Sequence, residues 1–375
     1  MLARLKSNRL FSVSFGCVFL LSGFFLNAIQ LMLHFTLRFI SLRHHRILIA
    51  FLVRLHWCQL LWVVEWWSGL KMRYFGTPED FAHLGNENAI CLCNHRSDLD
   101  WLLGWLTAEK HGCLGGAKAL MKKSARYVPV MGWTWWFAEY IFLARNWATD
   151  QNHLEESYAR YRSFPLVYWM VIYAEGTRLT PEKLEASQAF SKERGFPVLK
   201  HHLQPRTKGF TLARRFLKDD VPAIYDVCLA FPEGKEPSLQ SILEGKPGEA
   251  HMLIRRIPTD ELPLEEDALD EWCRQLYVDK DKAMETFATH GRFDENEIDR
   301  PKTTAARRIM NVWLSLFTGL LTVGMTYTIA MGNWWILAVV VGFGAFTALL
   351  LKIWRWNSVA GSKAAPMLGN RKPAA

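Results

Sequence analysis

The sequence predicts an α/β domain, with a mostly parallel or mixed central sheet flanked by helices, set between apolar membrane helices at both ends of the chain. Three observations predict it. Two stretches, Leu10 to Leu37 and Ile309 to Leu351, contain no Asp, Glu, Lys or Arg. Between them, short apolar runs alternate with helical stretches across residues 70 to 305, as in α/β architecture. Half of the residues are hydrophobic although 22% are charged, the composition of apolar segments joined to an ordinary soluble domain.

The first stretch is long enough to cross a bilayer, at about 20 residues per span. It is too long and too aromatic for a signal peptide. Ile47 to Val64 is also apolar but carries Arg54 and His56, with Glu65 just after. Charge at mid-bilayer is costly, and Trp57, Trp62, Trp66 and Trp67 suit the interface. Arg4, Lys6 and Arg9 precede the first stretch, and Arg38, Arg43 and Arg46 follow it. A helical pair dipping into one leaflet keeps all these charges on one side and is favoured over two full spans. At the other end, Gly332 and Asn333 divide the apolar run into two spans. Arg307 and Arg308 flank one side, Lys352 and Arg355 the other, so a hairpin returns both ends to the cytosol. The chain thus divides into membrane helices (1–69), a cytosol-facing domain (70–305), a transmembrane hairpin (306–356) and a tail expected to be disordered (357–375).

Within the domain, Ala89 to Cys93 is a short strand ending in a polar loop, and Leu102 to Ala108 follows as helix. Tyr140 to Ala144 is a strand. Asp150 to Ser163 is a polar helix with Leu154, Tyr158 and Tyr161 on one face. Leu166 to Tyr173 is a buried strand, Ala223 to Phe231 and His251 to Ile257 are further strands, and Glu265 to Gly291 is one or two charged helices.

The net charge of +9 fits nucleic acid, an anionic membrane or phosphate-bearing substrates. Nucleic acid is excluded as a partner: the cations do not cluster on a groove-reading element, and the ends are membrane spans. The seven cysteines include no CxxC pair and point to a reducing compartment. Cys91 and Cys93 read as packing residues. His44-His45 and His201-His202 lack ligand spacing, so no metal or other cofactor is called for.

Six blocks carry chemistry. Asn94 to Trp101 lies where a strand gives way to a helix. His95 is the side chain best poised to take a proton near neutral pH, and Asp100 in the first helical turn can hold its other N–H. Ser97 or Asp98 is the expected helix cap. Alone, the block also reads as a loop histidine beside a capping aspartate. Glu175-Gly176-Thr177-Arg178 follows a strand; glycine admits backbone N–H groups to an anion and arginine offers a fork to phosphate. Alone, it is also an ordinary turn with a surface ion pair. Arg145-Asn146-Trp147 puts a cation at another strand end. Lys122 and Lys123 precede the Val128 to Trp133 turn. Pro205 to Phe210, with Lys208, opens a helix, and Val221 to Val227 places Pro222 at a strand start.

Together and in this order, the blocks resemble the 1-acylglycerol-3-phosphate (lysophosphatidic acid) acyltransferases, and most of all the branch of plant and algal endoplasmic reticulum. The likeness runs from about residue 88 to about residue 290. It implies transfer of a fatty acyl group from acyl-CoA to the sn-2 hydroxyl of 1-acylglycerol-3-phosphate, giving phosphatidic acid, at the endoplasmic reticulum membrane. It implies that His95 and Asp100 are the catalytic dyad, His95 being the base. It implies an acceptor phosphate site of Glu175, Gly176, Thr177 and Arg178 with Arg145, helped by Lys122, Lys123 and Lys208. Pro222 would shape the acyl-CoA side. One departure is Ala144, where relatives often carry an acidic residue before the arginine. No Ser or Cys in the blocks is set as a nucleophile beside His95, so direct transfer is expected. Two other functions fit the same blocks: acylation of another lysophospholipid, such as lysophosphatidylinositol or lysocardiolipin, and non-catalytic binding of anionic lipid.

Overall fold

The computed structural model describes residues 9–332 and 334–361. Among these residues, eight strands form one sheet: β1 (Lys71–Phe75), β2 (Ala89–Cys93), β3 (Ala117–Lys122), β4 (Ile141–Leu143), β5 (Trp169–Ile172), β6 (Ala223–Ala230), β7 (Glu249–Pro258) and β8 (Glu297–Ile298). Their order is β4-β3-β5-β2-β6-β7-β1-β8. The first five in that order are mutually parallel. β7 turns antiparallel to β6, and β1 pairs parallel with β7. The sheet is therefore mixed and mostly parallel, as the sequence predicts.

Helices of ten residues or more are α1 (Arg9–Phe35), α2 (Leu42–Trp62), α3 (Asp100–Lys110), α4 (Trp147–Tyr161), α5 (Pro181–Arg194), α6 (Lys208–Leu217), α7 (Glu266–His290), α8 (Thr304–Met331) and α9 (Trp335–Gly361). Local chemistry sets their ends. Asn146 caps α4 by accepting the N–H of Ala148 at 3.1 Å. Thr180 caps α5 ahead of Pro181, and Gly195 ends it in the left-handed region.

Side chains alternate across the strands, so the sheet has two covered faces. On one, Cys91, Trp169 and Tyr225 meet Trp105 and Leu106 of α3 and Trp57 and Leu61 of α2. The Trp57 and Trp105 rings stack with centroids 3.6 Å apart. On the other, Ile90, Met170 and Ile224 pack with Tyr158 of α4, Phe210 of α6 and Tyr277 of α7. β6 is buried along its whole length. Its Asp226 is neutralised there by Lys280 of α7, which also donates to the carbonyls of Leu92 (2.9 Å) and Val227 (2.8 Å).

Among the described residues, four helices are long and apolar enough to cross a membrane, spanning Leu10–Ile40, Leu42–Trp67, Thr304–Met331 and Trp335–Ile353. α1 packs on α9, and α2 packs on α8. Two charges that made the second stretch ambiguous have partners on α3. Arg54 grips Glu109 at 2.6–3.1 Å, and Glu65 meets Lys110 at 2.7 Å. Both partners are the last two residues of α3. Glu65 also accepts from the N–H and hydroxyl of Thr303, both at 2.7 Å, just ahead of α8.

Some elements differ from expectation. β1, β3 and β8 carried no signal. β3 is Ala- and Lys-rich, and its Lys118 is buried against the Ala138 carbonyl at 2.7 Å. The strand expected from Leu166 begins pairing only at Trp169, because the Asn88 side chain takes the N–H of Tyr168 at 3.1 Å. Helix α3 starts on Leu99 with no side-chain cap, not on Ser97 or Asp98. Of the tail expected from 357, residues 357–361 continue α9 and the rest lie outside the described residues.

Candidate active site

β2 lies between β5 and β6, and the chain leaves it toward β3 on one side having arrived from β1 on the other. This is the point in an open sheet where the carboxyl ends of strands frame a crevice. Asn94 fixes the exit: its amide donates to the Leu229 carbonyl at 2.9 Å and accepts the Leu229 N–H at 2.7 Å, extending the ladder by one side chain. His95 is then turned out of the sheet.

The His95 Nδ1 lies 2.9 Å from the Asp100 Oδ2. The same carboxylate accepts the N–H groups of Arg96 (2.7 Å) and Ser97 (3.0 Å) and is almost fully buried. Asp100 accepts from two backbone N–H groups, and a carboxylate facing Nδ1 at 2.9 Å selects the tautomer with the proton on Nδ1, leaving Nε2 as the open nitrogen. The Tyr173 ring lies against the imidazole, with centroids 4.5 Å apart.

Glu175 follows β5 and is buried. It accepts the N–H of His95 at 2.9 Å on one oxygen and that of Leu203 at 3.2 Å on the other. Burial pushes its carboxyl up to about 7 against the pull of those two donors. The Leu179 N–H returns to the His95 carbonyl at 2.9 Å, so the two loops are stitched together. Gly176 takes a φ of +71°, as its turn requires. Arg178 bridges to Asp98 at 2.5 Å. Burial raises the Asp98 carboxyl while Arg178 pulls it down.

A cavity of about 1080 Å³ opens beside His95. Its depth runs along the sheet face under α3 and is lined by Trp101, Trp105, Trp135, Trp169, Met252 and Ile254. Its rim is cationic: Lys122, Arg145, Lys183, Arg206, Lys208 and Arg274. Lys183 is lowered by burial and then by the charges of Arg178 and Arg145, the crowding of like charge expected around an anion site.

Of the residues singled out from sequence, His95, Asp100, Lys122, Arg145, Glu175, Gly176, Thr177 and Lys208 line this cavity. Arg145, at φ +67°, is held in a turn that Asp150 closes by accepting the N–H groups of Ala144 (2.8 Å) and Asn146 (3.0 Å). Arg178 and Lys123 stand beside the cavity without lining it. Pro222 is exposed at the start of β6, five residues below the Cys93–Val227 register, about 17 Å away at 3.3 Å per residue.

Residues 74–225 match the acyltransferase family profile, and residues 241–317 match the acyltransferase C-terminus profile. The chain is 38% identical over 310 residues to 1-acyl-sn-glycerol-3-phosphate acyltransferase 2 of Brassica oleracea, covering 82% of this chain and 79% of that one. It is 38% identical over 301 residues to 1-acyl-sn-glycerol-3-phosphate acyltransferase delta of Homo sapiens, covering 80% and 79%. This chain belongs to the 1-acyl-sn-glycerol-3-phosphate acyltransferase family. A crystal structure of the 1-acyl-sn-glycerophosphate (LPA) acyltransferase PlsC from Thermotoga maritima aligns with 95% of its chain and 71% of this one, at 15% identity and a TM-score of 0.39.

In this member of the acyltransferase family, sequence reasoning missed Arg206, Lys183 and Tyr173. Arg206 lies within the Pro205 to Phe210 block, and Tyr173 two residues before Glu175. Only the direction of their side chains makes them part of the site, and a motif does not carry that information.

Proposed function

We propose that this chain transfers a fatty acyl group from acyl-CoA to the sn-2 hydroxyl of 1-acylglycerol-3-phosphate, with His95 as general base and phosphatidic acid as product. The observation that supports this most is the His95–Asp100 pair opening onto one cavity with a cationic rim and an apolar depth. Such a shape suits a molecule with a phosphate at one end and a hydrocarbon chain at the other.

The acceptor's phosphate sits at the rim, among Arg145, Lys122, Lys208 and the Glu175–Arg178 loop. Its free hydroxyl faces His95 Nε2. As the oxygen attacks the thioester carbonyl, Nε2 takes the hydroxyl proton, and Asp100 steadies the imidazolium through Nδ1–H. The tetrahedral intermediate collapses, the C–S bond breaks, and the proton passes to the departing CoA sulfur. A positioned base contributes about 10²–10⁴ in rate. Alignment of two bound reactants contributes about 7–11 kcal/mol, so substrate grip is the larger factor. The acyl chain occupies the apolar depth under α3. The proposed setting is the endoplasmic reticulum membrane, with the catalytic domain on the cytosolic face.

The test is acyl transfer by purified full-length protein, given acyl-CoA and a panel of lysophospholipids. Lysophosphatidic acid is the expected preferred acceptor, and His95→Ala is expected to abolish transfer with membrane insertion intact. Preference for lysophosphatidylinositol or lysocardiolipin would move the acceptor assignment. Substantial turnover by His95→Ala would overturn the base.

A further inference from the structure

The cavity reaches both sides of the strand ends. Trp105 of α3, which covers one sheet face, lines it, and so does Arg274 of α7, which covers the other. His95 lies at the strand ends between these two arms. The arm under α3 is the apolar depth. The second arm follows α5, which turns Lys183, Ala186, Ser187 and Phe190 toward it. These residues are spaced three, one and three apart, so they share one helix face.

The outer end of the second arm pairs aromatic rings with guanidinium groups. Gly195 ends α5 in the left-handed region, and the Phe196 N–H returns to the Ser191 carbonyl at 2.9 Å. That turn folds Phe196 back beside Phe190, with ring centroids 6.1 Å apart. Phe196 also lines the cavity, and Phe190 is 45% exposed. The Arg274 guanidinium carbon lies 5.0 Å from the Phe196 centroid, and that of Arg194 lies 5.7 Å from the Phe190 centroid. Glu271 holds Arg274 through Nε at 3.0 Å, and among the described residues no hydrogen bond engages its Nη1 or Nη2. The side of the sheet decides what covers these rings. The apolar helices gather on the α2 side, where α2 packs on α8 and α1 on α9. The Phe–Arg cluster stands on the α7 side, so its occupant arrives from water. Exposed ring faces stack any nucleobase, and guanidinium forks match phosphate. A flat aromatic group bearing phosphates fits both.

We propose that Phe190, Phe196, Arg194 and Arg274 form the site for the nucleotide end of the acyl-CoA donor, with adenine on the phenyl faces and phosphates on the guanidinium forks. This rests on the acyltransferase reading above. With the acyl chain under α3 and the thioester carbonyl at His95, the rest of CoA leaves by the opposite arm. It runs along the α5 face, which covers about 10 Å from Lys183 to Phe190 at 1.5 Å per residue.

Full-length protein in lipid–detergent micelles is assayed as the native chain, Phe196→Ala, Arg274→Gln and Arg274→Lys. Transfer to lysophosphatidic acid is measured from palmitoyl-CoA and from S-palmitoyl-pantetheine, which carries the same thioester without the nucleotide. Phe196→Ala and Arg274→Gln are each expected to raise KM for palmitoyl-CoA about 5–100-fold, the loss of one stacking face or one phosphate fork. KM for S-palmitoyl-pantetheine and for lysophosphatidic acid should change less than about twofold, and Arg274→Lys should recover part of the loss. A second measurement needs no turnover: adenosine 3′,5′-bisphosphate should raise the melting temperature of the native chain but not of Phe196→Ala. A native chain that is stabilised by this bisphosphate yet transfers from neither donor would sink the parent reading and leave the nucleotide site standing. Equal KM rises for the two donors would assign the cluster to the thioester arm, and a rise confined to lysophosphatidic acid would give it to the acceptor. No change in any KM, or no stabilisation of the native chain, would leave the nucleotide without a site here. Each of these last results overturns the proposal.

Discussion

Glu175 holds the backbone N–H of His95 at 2.9 Å from a position eighty residues along the chain. Its second oxygen holds Leu203. The acidic residue of the second motif, which the family resemblance assigns to the phosphate site, is therefore also a buried strut for the base.

That strut has a pH signature. Burial raises the folded-state carboxyl from its ordinary 4.5 to about 7. Between those values the folded chain binds more protons than the unfolded chain, so stability falls as pH rises. The contribution is fully present below about 4.5 and lost as pH passes about 7; at 1.36 kcal/mol per unit it amounts to about 3 kcal/mol. Melting temperature followed from pH 5 to 8 should show this slope, and Glu175→Gln should flatten it. Equal slopes for the two proteins would show that Glu175 does not titrate in this range.

The Asp100 carboxylate accepts from His95, Arg96 and Ser97 at 2.7–3.0 Å. Asp100→Asn keeps the shape but offers one acceptor oxygen and an amide that cannot accept. One N–H is then orphaned, at a cost of about 1–3 kcal/mol. The imidazolium loses its counter-charge, and by analogy with other His–Asp pairs kcat should fall roughly 10³–10⁴-fold with little change in KM. Steady-state kinetics on the purified variant checks this; a kcat within tenfold of native would remove Asp100 from the mechanism.

How much of this was legible in the sequence follows from what a sequence encodes. The charge-free windows and the short apolar Ala89–Cys93 run announce themselves through composition. The His95–Asp100 pair is local: five residues apart, strand end to first helical turn, the contact is nearly forced. β3 was invisible because Ala117–Lys122 has helix-forming composition, and its burial depends on Lys118 finding the Ala138 carbonyl. The partners of Arg54 and Glu65 were equally hidden. Each lies on α3, some fifty residues away, and nothing in the apolar stretch marks it as a docking helix. Arg206 was passed over for Lys208 in the same block, because only coordinates reveal which cation lies on Gly176.

The docking of α2 yields its own expectation. Glu109 is buried, and Arg54 supplies its charge partner through the Nε–Nη2 edge of its guanidinium. Arg54→Ala leaves a buried carboxylate uncompensated, which typically costs about 3–5 kcal/mol; the partial exposure of Arg54 points to the lower end. Replacing both by leucine removes the charge as well as the partner and should recover most of the loss. Because α3 carries Asp100 at its other end, about 14 Å away at 1.5 Å per residue, activity should fall and recover with stability. Thermal melts of the two singles and the double read this out, and additive effects would refute the pair.

Gly104 offers the sharpest separation of stability from function. It lies mid-way along α3, lines the cavity, and a Cβ placed there meets nothing within 4 Å. Glycine in a helix interior is less favourable than alanine by about 0.8–1.0 kcal/mol. Gly104→Ala should therefore raise the melting temperature, since the new methyl enters open space without a clash. Gly104→Leu places a larger side chain across the apolar depth. If the acyl chain lies there, turnover of long-chain acyl-CoA should fall relative to short-chain acyl-CoA, with the selectivity, not the overall rate, carrying the change. A ladder of saturated acyl-CoA lengths measures it directly. A uniform loss across all lengths would mean that the chain binds elsewhere and that the space under α3 is not its channel.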